Sequence, residues 1–303
     1  MIAEHDRVAR LRPPSGHVRV VIDTDTYNEV DDQFALVHAL LSPEQLSVEA
    51  IYAAPYFNRR STSPEDGMNR SYEEILRLLQ LMGRRHEGLV YAGSTEYLGP
   101  KRVPQRNAAV FDLIDRAMAS HPSDPLYVVG LAVLTNIASA LLIEPRIMER
   151  IVVVWLGGHA LSWPDTREFN LRQDVSAAQV LFDSGVPLVQ VACEGVARHL
   201  STTLAELERF VEPTGPVGAF LTDRVRGYRK DHAGWSKPLW DMGPIAYLLN
   251  PEWVPTSLVH SPVLTDQMTW SVDTSRHFIR YANHILRDPI FLDLFTKLAQ
   301  ASV

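Results

Sequence analysis

Apolar stretches of strand length alternate along this chain with amphipathic stretches of helix length. The first pair is an apolar run at residues 18–24, which predicts a buried strand, and a run with Phe34, Val37 and Leu40 at helical spacing that ends before Pro43. Further strands are predicted at residues 48–53, 88–93, 126–131, 151–158 and 187–193. Such unbroken apolar runs are typical of parallel strands that helices cover on both faces. The pattern therefore predicts an α/β fold with a mostly parallel central sheet.

Capping residues and stop signals define several of the helices. Ser71 begins a capping box before a helix that ends at Gly83, and Asp174 is a candidate N-cap for a helix that ends at Gly185. The last third has a weaker pattern, which predicts extra helices in an irregular excursion after residue 195. Further helices are predicted at residues 107–119, 134–143, 202–211, 216–230, 241–250 and 286–300, and shorter strands at 254–260, 266–270 and 275–281.

The organisation of the whole chain indicates one domain over residues 1–303. Residues 1–17 are polar and are predicted to form a loose lead-in without the apolar core of a signal peptide. We find no linker composition, repeat or low-complexity segment, and no apolar run of membrane-spanning length. These features predict a protein of the cytoplasm.

Charge and composition restrict the kinds of molecule that the chain is expected to bind. The formal net charge is −7 and the sequence pI is near 5.9, so the chain lacks the basic footprint of a nucleic-acid-binding protein. A neutral or cationic small molecule suits this charge better than a polyanion. The single cysteine, Cys193, excludes an intrachain disulfide, which agrees with a reducing compartment.

Acidic residues are concentrated where the first strand ends and the first amphipathic helix begins. Asp23, Asp25, Glu29, Asp31 and Asp32 lie within ten residues. Open α/β sheets build their sites at the carboxyl ends of strands, and close carboxylates repel one another unless a cation holds them together. The helix dipole favours acids at a helix start and would explain Asp31 and Asp32, but not Asp23 and Asp25 on an apolar strand.

Other chemistries also begin with a strand and Asp-x-Asp. An EF-hand is excluded, because a strand precedes the acids and Phe34 stands where that loop needs its final glutamate. A phosphatase of the haloacid dehalogenase type, with Asp23 as nucleophile, remains an alternative. Tyr27 stands where that motif has threonine or valine, and its later acidic motif is not evident.

The order of several fragments along most of the chain resembles the nucleoside hydrolase family. Each fragment alone is a weak signal, but together they follow the family's order on the expected elements. They are Asp23-Thr24-Asp25 with Asp31-Asp32, Leu134-Thr135-Asn136-Ile137-Ala138, Gly157-Gly158, Glu168-Phe169-Asn170, Asp241 before a helix, and Asp288-Pro289-Ile290-Phe291.

This resemblance implies a bound Ca²⁺ at the base of the pocket. Matched residue by residue, Asp25, Asp32 and Asp241 would supply carboxylates and Leu131 its backbone carbonyl, an all-oxygen set that suits a hard cation. Asp25 would also accept the proton of the water that attacks C1′ of the ribose. The transition state would then resemble an oxocarbenium ion. Asp241 could instead simply cap its helix.

The same resemblance implies which residues hold the sugar. Asp31, Glu168, Asn170 and Asp241 would bind ribose hydroxyls, and Asn58 lies where a further asparagine contact is common. The expected substrate is a small ribonucleoside, hydrolysed to ribose and free base in purine or pyrimidine salvage. The expected assembly is a homo-oligomer.

Three departures from the family pattern concern the substrate. The link between the two acidic pairs, residues 26–30, is longer than usual. Trp240 replaces a histidine that serves as acid for the departing base, and an indole can stack on a base but cannot protonate it. Trp163 could form part of a wall for the base.

The residue that donates a proton to the departing base is therefore not assigned by the resemblance. His159, His232 and Lys237 are candidates. A protein that binds a ribosyl ligand without turnover is a further alternative, because a metal site could persist without that acid.

Overall fold

The computed structural model describes residues 2–301, which contain twelve strands. Most of the longer strands form where the chain is rich in Val, Ile and Leu, as the apolar pattern predicts. In chain order the strands are β1 Val18–Thr24, β2 Leu46–Ala53, β3 Val90–Ala92, β4 Leu126–Gly130, β5 Ile151–Leu156, β6 Leu188–Val191, β7 Ser201–Thr202, β8 Lys237–Pro238, β9 Thr256–His260, β10 Val263–Leu264, β11 Trp270–Ser271 and β12 Phe278–Ala282.

Eleven α-helices accompany these strands over the same described range. Most of them connect consecutive strands of the sheet, while α8 and α9 belong to the excursion predicted after residue 195. The helices are α1 Glu4–Arg10, α2 Asp32–Leu40, α3 Pro64–Leu81, α4 Ala108–Ala119, α5 Thr135–Ile143, α6 Phe169–Gln173, α7 Val175–Ser184, α8 Leu204–Phe210, α9 Pro216–Tyr228, α10 Met242–Leu249 and α11 Arg287–Ala301.

Eight strands form the central sheet in the order β3-β2-β1-β4-β5-β6-β12-β9. All neighbours are parallel except β9, which is antiparallel to β12. From β1 the chain builds outward first to β2 and β3, and then to β4, β5 and β6 on the other side. The order therefore reverses between β1 and β4, and a crevice at the carboxyl ends of these strands is the usual ligand site of such sheets.

The core lies on both faces of the sheet, as the unbroken apolar runs predict. Alternate residues of β1 enter opposite layers, so that Val20 and Ile22 join one cluster and Val21 the other. Helix α2 is buried along its whole length, including Gln33 and His38. The predicted mostly parallel sheet with helices on both faces is thus confirmed, and the start of α2 is held firmly against it.

Three predicted elements were wrong. Residues 1–17 are not simply a loose lead-in, because they include α1, and Arg7 of that helix donates a 2.7 Å hydrogen bond to the carbonyl of Gly185. Helix α3 begins at Pro64 with Ser63 as its N-cap, not after Ser71, whose hydroxyl donates to the carbonyl of Gly67.

Gly67 explains the error in α3, because glycine is typical of loops and turns and disfavours a helix interior. Packing requires a glycine at this position, because a Cβ there would lie 1.9 Å from the carbonyl oxygen of Tyr56. The predicted strand at 266–270 is also mostly a turn, with Met268 at a φ of 59°, and only Trp270 belongs to a strand. The caps at Asp174 and Gly185 are confirmed.

No helix within residues 2–301 is both long and apolar enough to cross a membrane. The proposal of a single domain over residues 1–303 stays a prediction.

Candidate active site

A cavity of about 260 Å³ opens at the carboxyl edge of the sheet, at the predicted crevice. The loops that follow β1, β4, β5 and β6 contribute to its lining, together with the turn before α10. Parallel strands bring these loops to one edge although they are far apart in sequence. The predicted site residues that line the cavity are Asp25, Asp31, Asp32, Leu131, Glu168, Asn170, Trp240 and Asp241.

Four of these residues form what we call the acid cluster: Asp25, Asp31, Asp32 and Asp241. All four are at most 4% exposed. Oxygens of Asp31, Asp32 and Asp241 lie within 4.8 Å of one another. Among the described residues, one oxygen of Asp25, Oδ2, is buried without a hydrogen-bond partner. The tightest group thus includes Asp31, where the resemblance implied Asp25 as a ligand.

Burial and mutual repulsion raise the pKa of three members of the acid cluster, Asp25, Asp32 and Asp241. Burial, then Asp32 and Asp31, raises the pKa of Asp25 well above its ordinary value. Burial, then Asp31, raises the pKa of Asp32 to about 7, although a hydrogen bond from Thr24 opposes the shift. Burial, then Asp32, likewise raises the pKa of Asp241. The cluster therefore resists full ionisation unless a positive charge enters it.

The donor set fits a hard divalent cation. It consists of carboxylate oxygens, one of which is orphaned, and Leu131 lines the same cavity. A cation would relieve both the like-charge repulsion and the unsatisfied oxygen. Helix capping does not explain Asp241, because its side chain makes no capping hydrogen bond within residues 2–301.

Leu131 and Asn170 join two strand ends across the crevice. The backbone N–H of Leu131 donates to the carbonyl of Asp23 at 2.8 Å, which places the ends of β1 and β4 side by side. Asn170 donates from Nδ2 to the carbonyls of Leu131 at 3.0 Å and Leu156 at 3.3 Å. The amide of Asn170 therefore bridges β4 and β5 at the cavity wall.

Glu168 is buried rather than solvated, because its carboxylate caps the short helix α6. It accepts hydrogen bonds from the backbone N–H groups of Gly158, Asn170 and Leu171 at 2.8–3.1 Å. Burial raises the pKa of Glu168, while these bonds oppose the shift. The same carboxylate accepts from the thiol of Cys193, a cavity residue that was not assigned to the site from the sequence.

Trp240 forms part of a wall that we call the Trp240 wall, made of Trp240, Glu194 and Arg198. Arg198 lies 5.7 Å from the centroid of the indole and forms a 2.7 Å salt bridge with Glu194. Trp163 does not line this cavity, contrary to the expectation of a wall for the base, and it is 44% exposed. It lies near Gly195, whose φ of 91° and close contact with Ala160 exclude a side chain there.

The three candidate proton donors lie in different places. His159 lines the cavity, and burial lowers its pKa. His232 lies outside the cavity lining, beside Trp235. Lys237 is also outside the lining and directs its three ammonium protons to Glu29, Asp31 and the carbonyl of Pro238. His159 is therefore the one of the three with access to a bound ligand.

Asn58 reaches the site only through another residue. It lies outside the cavity lining and donates to the side chain of Asn28, a lining residue, at 2.6 Å. Asn28 in turn hydrogen-bonds to Asp25. Asn28 and Arg60 were not identified from the sequence as residues of the site. In the sequence, the longer link itself is the sole indication of these contacts. No local pattern relates the link to Arg60, which donates to the carbonyls of Tyr27 and Glu29.

Asp23 is not placed as a phosphatase nucleophile. It is fully buried, lies outside the cavity lining and accepts a 2.8 Å hydrogen bond from Asn136. Burial raises the pKa of Asp23 to about 7. Its geometry is that of a support beneath the site, and the alternative of a haloacid dehalogenase-type phosphatase is not favoured.

Comparisons with known proteins agree with this architecture. The structure superposes on a purine-preferring ribonucleoside hydrolase from Gardnerella vaginalis with a TM-score of 0.76 at 21% identity, covering 94% of this chain and 99% of that one. For the plant nucleoside hydrolase PpNRh1 the TM-score is 0.75 at 19% identity, with coverages of 93% and 99%. These likenesses show the fold.

Sequence comparison identifies the family. The pyrimidine-specific ribonucleoside hydrolase RihA of Salmonella agona (strain SL483) is 30% identical over 264 residues, which are 77% of this chain and 80% of that protein. The family model described as inosine-uridine preferring nucleoside hydrolase matches residues 20–285. The protein therefore belongs to the inosine-uridine preferring nucleoside hydrolase family, whose members hydrolyse N-glycosidic bonds.

Proposed function

We propose that this protein hydrolyses the N-glycosidic bond of a ribonucleoside to ribose and free base, and that the reaction depends on Ca²⁺. The observation that carries the proposal is the acid cluster with its orphaned Asp25 oxygen, at the base of a cavity lined by further hydrogen-bonding groups. Ribose offers several hydroxyls, and carboxylates and amides bind them with defined direction. The description of the Salmonella relative as a pyrimidine-specific ribonucleoside hydrolase supports this substrate class.

The cation would be held by the carboxylates of Asp25, Asp32 and Asp241 and by the carbonyl of Leu131. When bound, it supplies positive charge that polarises the attacking water and offsets the repulsion between the aspartates. Calcium is favoured over softer metals because the donors are all oxygen. Ca²⁺ takes six or more oxygen ligands in a flexible geometry, which carboxylates on loops and helix starts can supply.

The chain's own residues perform the remaining work. Asp25 accepts the proton of the attacking water, since its Oδ2 is free of other hydrogen bonds within the described chain. Asp31, Asp241, Glu168 and Asn170 hold the ribose hydroxyls, so that C1′ faces Asp25. Trp240 stacks on the departing base and covers one face of it.

A direct test combines metal analysis with a nucleoside panel. The purified protein is expected to contain calcium and to release free ribose from at least one ribonucleoside. Chelation should abolish turnover and Ca²⁺ should restore it. Full activity after complete removal of metal would refute calcium dependence, whereas tight binding of ribosides without any turnover would favour the non-catalytic alternative.

Thermal unfolding gives a second measurement that does not depend on turnover. A ligand present at 100 times its Kd stabilises the folded state by about 2.7 kcal/mol. Saturating Ca²⁺ should therefore raise the melting temperature, and an Asp32→Asn variant should lose most of that increase. An equal increase in both proteins would place the cation elsewhere.

The expected homo-oligomer, cytoplasmic location and role in salvage stay predictions. Light scattering on the purified protein measures the first of these directly, and a monomer at micromolar concentration would contradict it.

A further inference from the structure

One ammonium group outside the cavity lining contacts the acid cluster. The side chain of Lys237, in β8, is 3% exposed. Its Nζ lies 2.5 Å from Glu29 Oε2, 2.9 Å from the carbonyl of Pro238 and 3.3 Å from Asp31 Oδ1. A buried ammonium is costly unless each of its three protons has an acceptor, and here all three do. Lys237 is therefore a fixed structural cation that has no proton to spare for a substrate.

The main partner of Lys237 belongs to the longer link between the acidic pairs. Glu29 accepts from Lys237 and also from the hydroxyl of Tyr228. Arg60 also holds the link, because it donates to the carbonyls of Tyr27 at 3.4 Å and Glu29 at 3.3 Å. The longer link thus places Glu29 where its carboxylate binds the same ammonium group that contacts Asp31.

Lys237 also separates two neighbouring cavities. It lines a second cavity of about 380 Å³, and Glu29 and Trp240 line both this cavity and the one that contains the acid cluster. Asp31 is reached by Lys237 from the side of the second cavity. One oxygen of Asp31 is therefore committed to a cation behind it, which restricts rotation of the carboxylate.

From this geometry we propose that Lys237 is a positioning residue that fixes the carboxylate of Asp31 for recognition of one ribose hydroxyl, and that Glu29 anchors it. The inference rests on the proposed function, in which Asp31 holds a ribose hydroxyl. It assigns a purpose to the longer link, which supplies the anchor. Because a misplacement of about 1 Å can cost roughly a hundredfold in rate, a loosened Asp31 weakens the reaction without any change in the residues that contact C1′.

The test compares sugars that differ by one hydroxyl. kcat and KM are measured for Lys237→Met and for the wild type with a ribonucleoside and with its 2′-deoxy and 3′-deoxy analogues. We expect kcat/KM for the ribonucleoside to fall roughly ten- to a hundredfold. For the analogue that lacks the hydroxyl held by Asp31, the fall should stay within about threefold, since that contact is already missing. Discrimination between the two sugars therefore collapses.

Equal losses on all three substrates would overturn the proposal, because a purely structural lysine affects them alike. Unchanged kinetics would also overturn it. Failure of the wild type to hydrolyse any nucleoside instead refutes the proposed function itself. Calorimetric titration with ribose and 2- and 3-deoxyribose gives an independent measurement, in which Lys237→Met should lose affinity selectively for the sugars that retain the recognised hydroxyl.

Two further variants separate positioning from folding. Glu29→Gln removes the charged anchor at a side chain that is 36% exposed, so the folded state should persist. Its losses in kcat/KM should have the same pattern across the three substrates as those of Lys237→Met, but should be smaller. Lys230→Met removes an exposed lysine from the same excursion and should change nothing. Melting temperatures of all variants are recorded, and a selective loss in a protein that melts like the wild type supports positioning.

Discussion

The acid cluster lines the same cavity as Trp240 and Glu194 of the Trp240 wall, but the two regions are built differently. Residues of the acid cluster are 1–4% exposed and follow or begin elements of the central sheet and its covering helices. In the Trp240 wall, the Arg198 side chain is 59% exposed, and Arg198 and Trp240 belong to the excursion after β6. The sugar side of the site is thus rigid and costly to change, whereas the leaving-group side lies on segments that tolerate variation.

This difference indicates how substrate choice and chemistry are divided. Carboxylates that repel one another in a buried site remain only because they perform a task there. A tryptophan stacked with an exposed arginine has no such constraint. We therefore expect substitutions in the acid cluster to affect turnover strongly, and those in the wall to affect the choice of base.

The largest effect is expected for Asp25→Asn. The amide keeps the shape but cannot accept the proton of the attacking water, so kcat should fall roughly 10²- to 10⁴-fold with little change in KM. Steady-state kinetics on the best nucleoside of the panel measures this. Hydrolysis at the wild-type rate would show that Asp25 is not the base.

A smaller effect is expected for Trp240→Ala. Loss of aromatic stacking should lower kcat/KM roughly five- to tenfold, and unequally for purine and pyrimidine nucleosides. The comparison needs both classes of nucleoside, with Trp163→Ala as the matched control, because that indole lies outside the cavity lining. If both kcat and KM are unchanged in Trp240→Ala, the stacking role is wrong.

The protonation of the acid cluster predicts a dependence of stability on pH. Burial raises the pKa of Asp32 to about 7 in the folded state, above its ordinary value of 3.8. The folded state then binds more protons than the unfolded state between about pH 4 and pH 7, so raising the pH through that window destabilises the metal-free protein. Its melting temperature should fall over this window, and Ca²⁺ should reduce the fall. A melting temperature that rises over the same window would contradict the shift.

The smallest effect is expected for Asn58→Ala. Because Asn58 reaches the site through Asn28, we expect a loss of only about threefold in kcat/KM, well below that of Asn170→Ala. The two variants are compared under identical conditions with one ribonucleoside. A larger loss for Asn58 would indicate that it contacts the sugar directly when substrate is bound.

Much of the frame could be predicted because it depends on local signals. The apolar runs at β1, β4 and β5 and the caps at Asp174 and Gly185 follow from periodicity and backbone preference. The start of α3 could not be predicted, because Gly67 is required by the close approach of Tyr56, a contact that the local sequence does not reveal. The docking of α1 likewise depends on a partner 178 residues away.

By itself the sequence determined the class of fold and the acids of the site, which residue type and spacing encode locally, and the family, which the order of several short fragments indicates. Tertiary structure alone decided how these groups interact. It placed Asp31 in the tightest carboxylate group, made Glu168 a buried cap, kept Trp163 out of the cavity lining and joined Lys237 to the link 26–30. These outcomes depend on distances between segments as far apart as 208 residues, and burial then sets the charge of each group.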